Sequence, residues 1–556
     1  MEPTRMDEKD GLLTILDELS KGSKFLWTIF ILTLTPTVFN GMHSMSYVFT
    51  TAQIPPHWCA VPELVSANWT VQQIKEISSA SNCLVYNYDY TYFAQVGYEN
   101  ATEYIKTLTI LPVTTSCSQY YYEDIGGSTV VEEWNLVCDR AADRANTYMA
   151  LSLGKLIGAG FFGVFADRHG RKTTYVIGIF MLIIAGPLTA FVPWFWAFLV
   201  LRFFTGVSLS AIGYSSMTTL TEASSSKHRQ WMGIAFNTGY PIGMAMLSGL
   251  AYLARDWKHL QLIVSLPSLI LLFHAWFMPE SPRWLLSQNR RKQAHRVVRQ
   301  YYEPLESETR GKNSSDANSR EIVEKKSVSN VNLADQGCVR NNLKSLKILY
   351  SNSDLRKRAF IMYFSWMTSS LCYYVIALNV DNFSVDHYTY MLIMGLTEVP
   401  AYLVPSGILM MIGRRQSGAL LYTIGGVCLL SILAISRDNT VAIMLVALTG
   451  RFALSAVYGI IILYTSELFP TIVRNSAVGT SSVMAHVGTI TAPYVADLVG
   501  QAFWWAPSTL CGILAVIAGI SCLVLPETRD RSLADTVEEE TAKGRGRVSL
   551  AQICSN

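Results

Sequence analysis

The chain is 556 residues long, more than one ordinary soluble core accounts for. Half of it is hydrophobic and only 15% is charged, whereas soluble domains carry nearer a quarter; the mean hydropathy is +0.26. A formal net charge of +3 points to no nucleic-acid partner.

Residues 1–24 are polar, with acids at Asp7, Glu8, Asp10, Asp17 and Glu18. The first apolar stretch begins at Phe25 and lacks the basic flank and small-residue site of a cleavable leader, so this segment is expected to stay in the cytoplasm. Within it, Leu12, Leu13, Ile15, Leu16 and Leu19 fit a short amphipathic helix on the inner membrane surface. A large polar loop follows, at about 48–144, with Cys59, Cys83, Cys117 and Cys138 and the sequons Asn68-Trp69-Thr70 and Asn100-Ala101-Thr102. Disulfides and glycosylation at Asn68 and Asn100 both require an oxidising, external setting. Four cysteines allow three pairings, and the spacing does not choose among them.

Apolar spans are expected at roughly 25–47, 145–166, 173–193, 196–220, 230–253 and 260–278. A second six lie at about 358–379, 388–411, 417–435, 440–464, 476–499 and 503–525. The chain then divides into a segment 1–24, a six-helix bundle 25–285, a linker 286–356, a second bundle 357–526 and a tail 527–556. Basic residues gather in the linker and at Arg168–Lys172, Lys227–Arg229 and Arg414–Arg415. The positive-inside rule therefore places both termini in the cytoplasm and the cysteine-rich loop outside.

The two halves repeat. Asp167-Arg168-His169-Gly170-Arg171-Lys172 in the first half corresponds to Gly413-Arg414-Arg415 in the second. Glu222 is followed seven residues later by Arg229, and Glu467 by Arg474 at the same distance. Pro279-Glu280-Ser281-Pro282-Arg283 matches Pro526-Glu527-Thr528-Arg529. Matching positions are separated by roughly 245 residues throughout, as in transporters built from parallel six-helix halves with a mid-membrane site between them. Asp167, Arg168, Arg171, Glu222, Arg229, Arg414, Glu467 and Arg474 are expected to form gating ion pairs at the cytoplasmic ends of the helices.

Over nearly its whole length the sequence resembles solute carrier family 22, the organic cation, organic anion and carnitine transporters of the major facilitator superfamily. The resemblance rests on the repeated motifs above, on Phe39-Asn40-Gly41-Met42, and on Glu133-Trp134-Asn135-Leu136-Val137-Cys138 closing the large loop. Glu398-Val399-Pro400-Ala401-Tyr402 and Glu467-Leu468-Phe469-Pro470-Thr471 belong to the same set. It implies an all-α membrane protein of the major facilitator fold, with twelve transmembrane helices in two six-helix bundles, resident in the plasma membrane. It also implies alternating access of a small organic ion through the lipid bilayer.

By that resemblance, aromatic residues on spans 7 and 10 line the substrate cavity; here these are Trp366, Tyr373, Tyr374 and Tyr458. Trp366 and Tyr373, seven residues apart, share a helix face, and such rings attract amines by about 0.5–2 kcal/mol each. Cation-selective relatives place an acid on span 11, and anion and carnitine relatives an arginine; this chain has His486. Lys155 lies near the middle of span 2, where a charge must face the cavity or find a partner, and Glu398 is the expected partner. Lys155 and His486 holding a carboxylate, with Glu398 and the aromatics holding an amine, would make a site for zwitterions or organic cations. An organic anion carrier and a non-transporting receptor on the same fold are the alternatives. His43, a lone polar residue in span 1, reads as a satisfied helix residue rather than a ligand. Coupling to protons or sodium is compatible with the chain, and gradient-driven movement is the default. The sequence has no Gly-x4-Gly-Lys-Ser/Thr loop, no His-Glu-x-x-His zinc pattern and no convincing nucleophile elbow. An enzyme is not expected, and neither is a cofactor or a metal.

Overall fold

A computed structural model describes residues 24–108, 113–124, 126–224, 226–299, 347–380, 383 and 386–529, with the side chains at 226–230, 403–406, 409–411 and 471–472 left aside. The expected amphipathic stretch before Lys24, the middle of the linker, the tail beyond Arg529 and the side chain of Arg229 lie outside the described residues.

Twelve long helical segments follow one another among the described residues. The first six are α1 (Lys24–Met45), α2 (Ala141–His169), α3 (Arg171–Leu188), α4 (Phe195–Ala223), α5 (Ser226–Asn237 continued by Gly239–Leu253) and α6 (Trp257–Ser265, a 3-10 turn Leu266–Ile270, and Leu271–Phe277). The second six are α7 (Ser353–Leu378), α8 (His387–Ile412), α9 (Arg414–Ser431), α10 (Thr440–Leu468), α11 (Thr471–Tyr494) and α12 (Ala506–Leu523). Nine segments among the described residues are long and apolar enough to cross a membrane by themselves. The sequence expects α6 as one continuous span, but it is interrupted around Pro267, whose missing N–H and fixed φ disfavour a regular turn. Polar caps start the helices: the side chains of Asn352, Asp386, Asn439 and Asp256 each accept backbone N–H groups of α7, α8, α10 and α6. Large apolar side chains point outward, with Trp276 83% and Leu253 81% exposed, as lipid-facing helices require.

Within each half the helices pack mainly on one another; α2 with α4 and α3 with α4 are examples in the first, α7 with α11 and α9 with α12 in the second. The halves meet along α5–α8 and α2–α11. Hydrogen bonds join them on the side that carries the large loop. Tyr47 donates to Asp497, Tyr494 donates to Asn146 (2.6 Å) and the Ser248 hydroxyl donates to the Tyr388 carbonyl (2.6 Å).

The large loop is a small folded unit. Strand β1 (His57–Cys59) pairs antiparallel with β5 (Tyr120–Tyr122), while β2 (Ser79–Ser81), β3 (Leu84–Tyr86) and β4 (Thr114–Ser116) form a second sheet. Of the three open pairings, the structure has Cys59–Cys117 and Cys83–Cys138. Val61, Leu64, Ile74, Ile77, Phe93 and Ala101 form the unit's own core. Its Glu133-Trp134 end docks on the helices: Trp134 Nε1 donates to the Pro193 carbonyl (3.1 Å) and Glu133 pairs with Lys258 (2.9 Å).

On the opposite, basic side the repeat has a physical reason. Helices α3 and α9 begin with unsatisfied N–H groups directly after glycines. Glu280 accepts from the backbone N–H groups of Arg171 (2.9 Å) and Lys172 (3.2 Å), and Glu527 from those of Arg414 (2.9 Å) and Arg415 (3.0 Å). Burial pushes the Glu527 carboxyl up, but the backbone donors outweigh it and hold the group below the usual glutamate range. The glycines are needed because the carboxylates occupy the space a side chain would take. Gly170 sits at φ +108°, and an added Cβ would lie 2.3 Å from Glu280 Oε2. Gly170→Ala is therefore expected to cost at least about 1 kcal/mol. The measurement is the melting temperature of the purified chain; an unchanged value would contradict this capping arrangement.

Candidate functional site

A cavity of about 390 Å³ lies between the two halves at mid-helix depth. From the first half it is lined by Thr37 and Asn40 of α1, Lys155 of α2, Ser210 and Tyr214 of α4, and Asn237 and Tyr240 at the break in α5. From the second half come Tyr373 and Tyr374 of α7, Tyr402 of α8, Tyr458 of α10, and Ser482, His486 and Thr489 of α11. Met217 and Phe236 extend it toward the basic side. Above it, toward the loop side, Tyr148 and Tyr374 close ranks across the halves with ring centroids 5.9 Å apart.

Lys155 donates from Nζ to the Ser44 hydroxyl (2.5 Å), and Ser44 in turn donates to Asn40 Oδ1 (3.1 Å). The expected partnership with Glu398 does not form. Glu398 faces Arg451 of α10 instead, with Nη2 3.1 Å from Oε2 and both side chains no more than 3% exposed. Tyr373 (2.6 Å) and Tyr402 (2.9 Å) donate their hydroxyls to the other carboxylate oxygen. Arg451 also donates to the Tyr373 carbonyl (2.6 Å), and its guanidinium lies 3.8 Å from the centre of the Tyr373 ring. Two full charges are thus neutralised behind the wall, which a low-dielectric interior demands. Among the described residues lining the cavity, Lys155 is the only lysine, arginine, aspartate or glutamate, and no acid among the described residues pairs with it.

Of the residues expected to meet substrate, Lys155, Tyr373, Tyr374, Tyr458 and His486 come together on the wall, whereas Glu398 and Trp366 do not. Trp366 stands behind Tyr458, ring centroids 5.6 Å apart, and donates to the Thr465 hydroxyl (2.9 Å). It supports the wall instead of forming it, because helical spacing fixes a face but not which turn reaches the cavity. His43, expected as a satisfied helix residue, is fully buried, and neither ring nitrogen is hydrogen-bonded among the described residues. Arg451 escaped the sequence reading, although an arginine inside an apolar span calls for an acid within reach. Arg202 of α4 lies roughly 250 residues earlier, close to the repeat spacing, and donates to the Ser46 hydroxyl (3.1 Å). Tyr214 and Tyr240 carried no signal beyond being aromatic, and Tyr402 only its place in the Glu398–Tyr402 motif.

The expected gating residues lie on the basic side, and the ion pairs among the described ones stay within one half. Arg171 meets Glu222 (2.9 Å) and Asp167 (3.0 Å), and Arg414 meets Glu467 (2.9 Å). Asp167 also accepts, through its backbone carbonyl, from Trp284 Nε1 (2.9 Å). Arg168 is exposed, and Arg474 Nε and Nη2 find no hydrogen-bond partner among the described residues.

Residues 76–539 match the model of the family described as sugar (and other) transporter. The chain is 29% identical over 543 residues to an organic cation transporter protein of Drosophila melanogaster, covering 95% of this chain and 94% of that one. It is 32% identical over 407 residues to solute carrier family 22 member 13 of Homo sapiens, covering 73% and 70%. It is 28% identical over 527 residues to organic anion transporter 3 of Sus scrofa, covering 94% and 92%. Among solved structures, the inward open conformation of the xylose transporter from E. coli superposes with a TM-score of 0.58 at 13% identity, over 93% of this chain and 99% of that one.

Removing one member of the buried pair should expose its cost. Glu398→Leu leaves Arg451 buried and unpaired and is expected to destabilise by about 3–5 kcal/mol. Glu398→Leu combined with Arg451→Met should cost clearly less than the two single changes added together. Thermal unfolding of the four proteins measures this; additive losses would contradict the pairing.

Proposed function

This chain belongs to solute carrier family 22, on the major facilitator fold, and from that premise we propose that it carries small organic ions across the membrane by alternating access, favouring ions that bear a carboxylate. The observation that carries the substrate class is Lys155. It lines the cavity unpaired with any acid among the described residues, while Glu398, the acid that would otherwise attract an amine, is taken up by Arg451, Tyr373 and Tyr402. A cation held at mid-membrane depth gains most from an anionic ligand, through a charge-assisted hydrogen bond. Organic anions and zwitterions both meet this demand; the tyrosine faces of Tyr240, Tyr374 and Tyr458 can accept the ammonium of a zwitterion. The same tyrosines favour a second reading, a plain organic cation held by rings alone.

The arrangement also supports a direction of opening. The loop side, read as extracellular, is shut by hydrogen bonds between the halves, whereas the cavity extends toward the basic, cytoplasmic side. The Arg171–Glu222 and Arg414–Glu467 pairs brace each half internally, so that each bundle moves as a unit.

Uptake into cells or vesicles, with the chain present and absent, tests the carrier against a receptor: a receptor binds without accumulation. Varying pH and sodium in the same assay tests coupling. Lys155→Ala is expected to weaken uptake of carboxylate-bearing compounds by about tenfold or more, with little change for amines of the same size. Lys155→Arg should restore much of the loss. Equal losses for both classes, or uptake confined to permanent monocations, would overturn the substrate class. For the opening, Tyr47→Phe combined with Tyr494→Phe should raise labelling of Ser482→Cys by an impermeant maleimide from outside by about threefold or more. Unchanged labelling would contradict the latch.

A further inference from the structure

A second cavity, about 290 Å³, lies on the loop side, apart from the central one. It is near the lower edge of the range of about 300–1,000 Å³ usual for small-molecule pockets. Its walls come from both halves. Phe49 and Gln53 follow α1, Tyr252 and Arg255 lie at the end of α5 and just beyond, and Gly127 and Thr129 belong to the large loop. Asp386 and Tyr388, at the start of α8, close it from the other half.

The chemistry of these walls is specific. Phe49 and Tyr388 stack across the two halves at 5.4 Å, and Tyr252 meets Tyr388 edge-on at 5.5 Å. Arg255 rests its guanidinium over the Tyr252 ring at 5.6 Å, and no acid pairs with it among the described residues. Asp386 caps α8 by accepting the Thr389 N–H through Oδ2 (2.7 Å), and the Tyr388 N–H, the Thr389 hydroxyl and the His387 ring also act on its carboxylate. Opposite charges, one from each half, therefore line a common aromatic box, and among the described residues they form no ion pair with each other. Such a box suits an alkylated ammonium by cation–π attraction, and an arginine suits a carboxylate by paired hydrogen bonds.

We propose that this loop-side pocket is a second binding site, for a small zwitterion whose carboxylate meets Arg255 and whose ammonium meets Asp386 and the aromatic box. A ligand spanning the two halves there would hold the loop side shut. It would act as a brake on the transport cycle and need not itself be carried. The linkage requires only that the ligand prefer the closed arrangement, in which both walls are present.

The test uses glycine betaine as the probe, with tetramethylammonium and acetate as its two half-ligands. Binding to the full chain in lipid nanodiscs is measured by calorimetry, in the native and Lys155→Met backgrounds. The expected result is that glycine betaine still binds when Lys155 is replaced. Arg255→Gln or Asp386→Asn should then weaken it by about tenfold or more. Tetramethylammonium should bind more weakly than glycine betaine and be indifferent to Arg255→Gln. Acetate should lose what affinity it has in that variant. Arg255→Lys, which keeps the charge, should recover binding to within about threefold and guards against a folding defect in Arg255→Gln. Unchanged glycine betaine affinity in both outer variants would overturn the proposal, as would loss of binding through Lys155→Met alone or failure of Arg255→Lys to rescue. Because the central substrate site is read through Lys155 and this one through Arg255 and Asp386, either can fail without the other.

Discussion

A charge placed inside a bilayer must find a counter-charge, a polar partner or a ligand, and this constraint orders the interior of the protein. Arg451 meets Glu398 with both side chains buried, and two tyrosine hydroxyls complete the carboxylate's shell. Arg202 and Lys155 reach serine hydroxyls, and Arg202 also lies over the Phe198 ring at 5.5 Å. The buried pair fixes the positions of Tyr373 and Tyr402, which form the wall, and removes the acid from competition for the ligand. What is left facing the cavity is one lysine among tyrosines, serines, asparagines and a histidine. The charge preference proposed for the cavity thus rests on an interaction that lies behind it.

The same economy of charge shapes the two ends of the helices. On the basic side, Glu280 and Glu527 serve as caps for α3 and α9, and Gly170 and Gly413 leave them room. Arginines at the same two corners pair with Glu222 and Glu467 of the same half. Each bundle is therefore cross-braced by charge at those corners. On the loop side the relation is reversed: Tyr47, Asn146 and Ser248 of one half hydrogen-bond to Asp497, Tyr494 and Tyr388 of the other. Halves braced internally and joined on the loop side by breakable hydrogen bonds are what rocking motion needs.

Much of this was legible in the sequence. The long helices stood out because uncharged stretches of about twenty residues fit a bilayer, and nine segments among the described residues are long and apolar enough to cross one. The repeated Gly-Arg, Glu and Pro-Glu motifs marked the two halves, since a cap, a glycine and an arginine must recur together to close the same corner. Lys155 was identifiable as a cavity candidate because a mid-span lysine must face a cavity or find a partner. The pairing of Glu398 was not legible. It depended on Arg451, which sits on a neighbouring helix in space but 53 residues away in the chain. The interval between a helix face and the cavity likewise escaped, so Trp366 was expected on the wall and stands one layer behind Tyr458. The break in α6 had its signal in Pro267, whereas the disulfide pairing had none, because spacing alone leaves every connectivity open.

The central claim is that an unpaired lysine sets the ligand's charge. Its most direct test is the affinity of the purified native chain for hippurate and for hippurate methyl ester, which differ in the charge of one group and little in shape. Lys155 at the wall predicts that the carboxylate binds at least about tenfold more tightly and that the difference vanishes in Lys155→Met. Equal affinities in the native chain, or tighter binding of the ester, would contradict it.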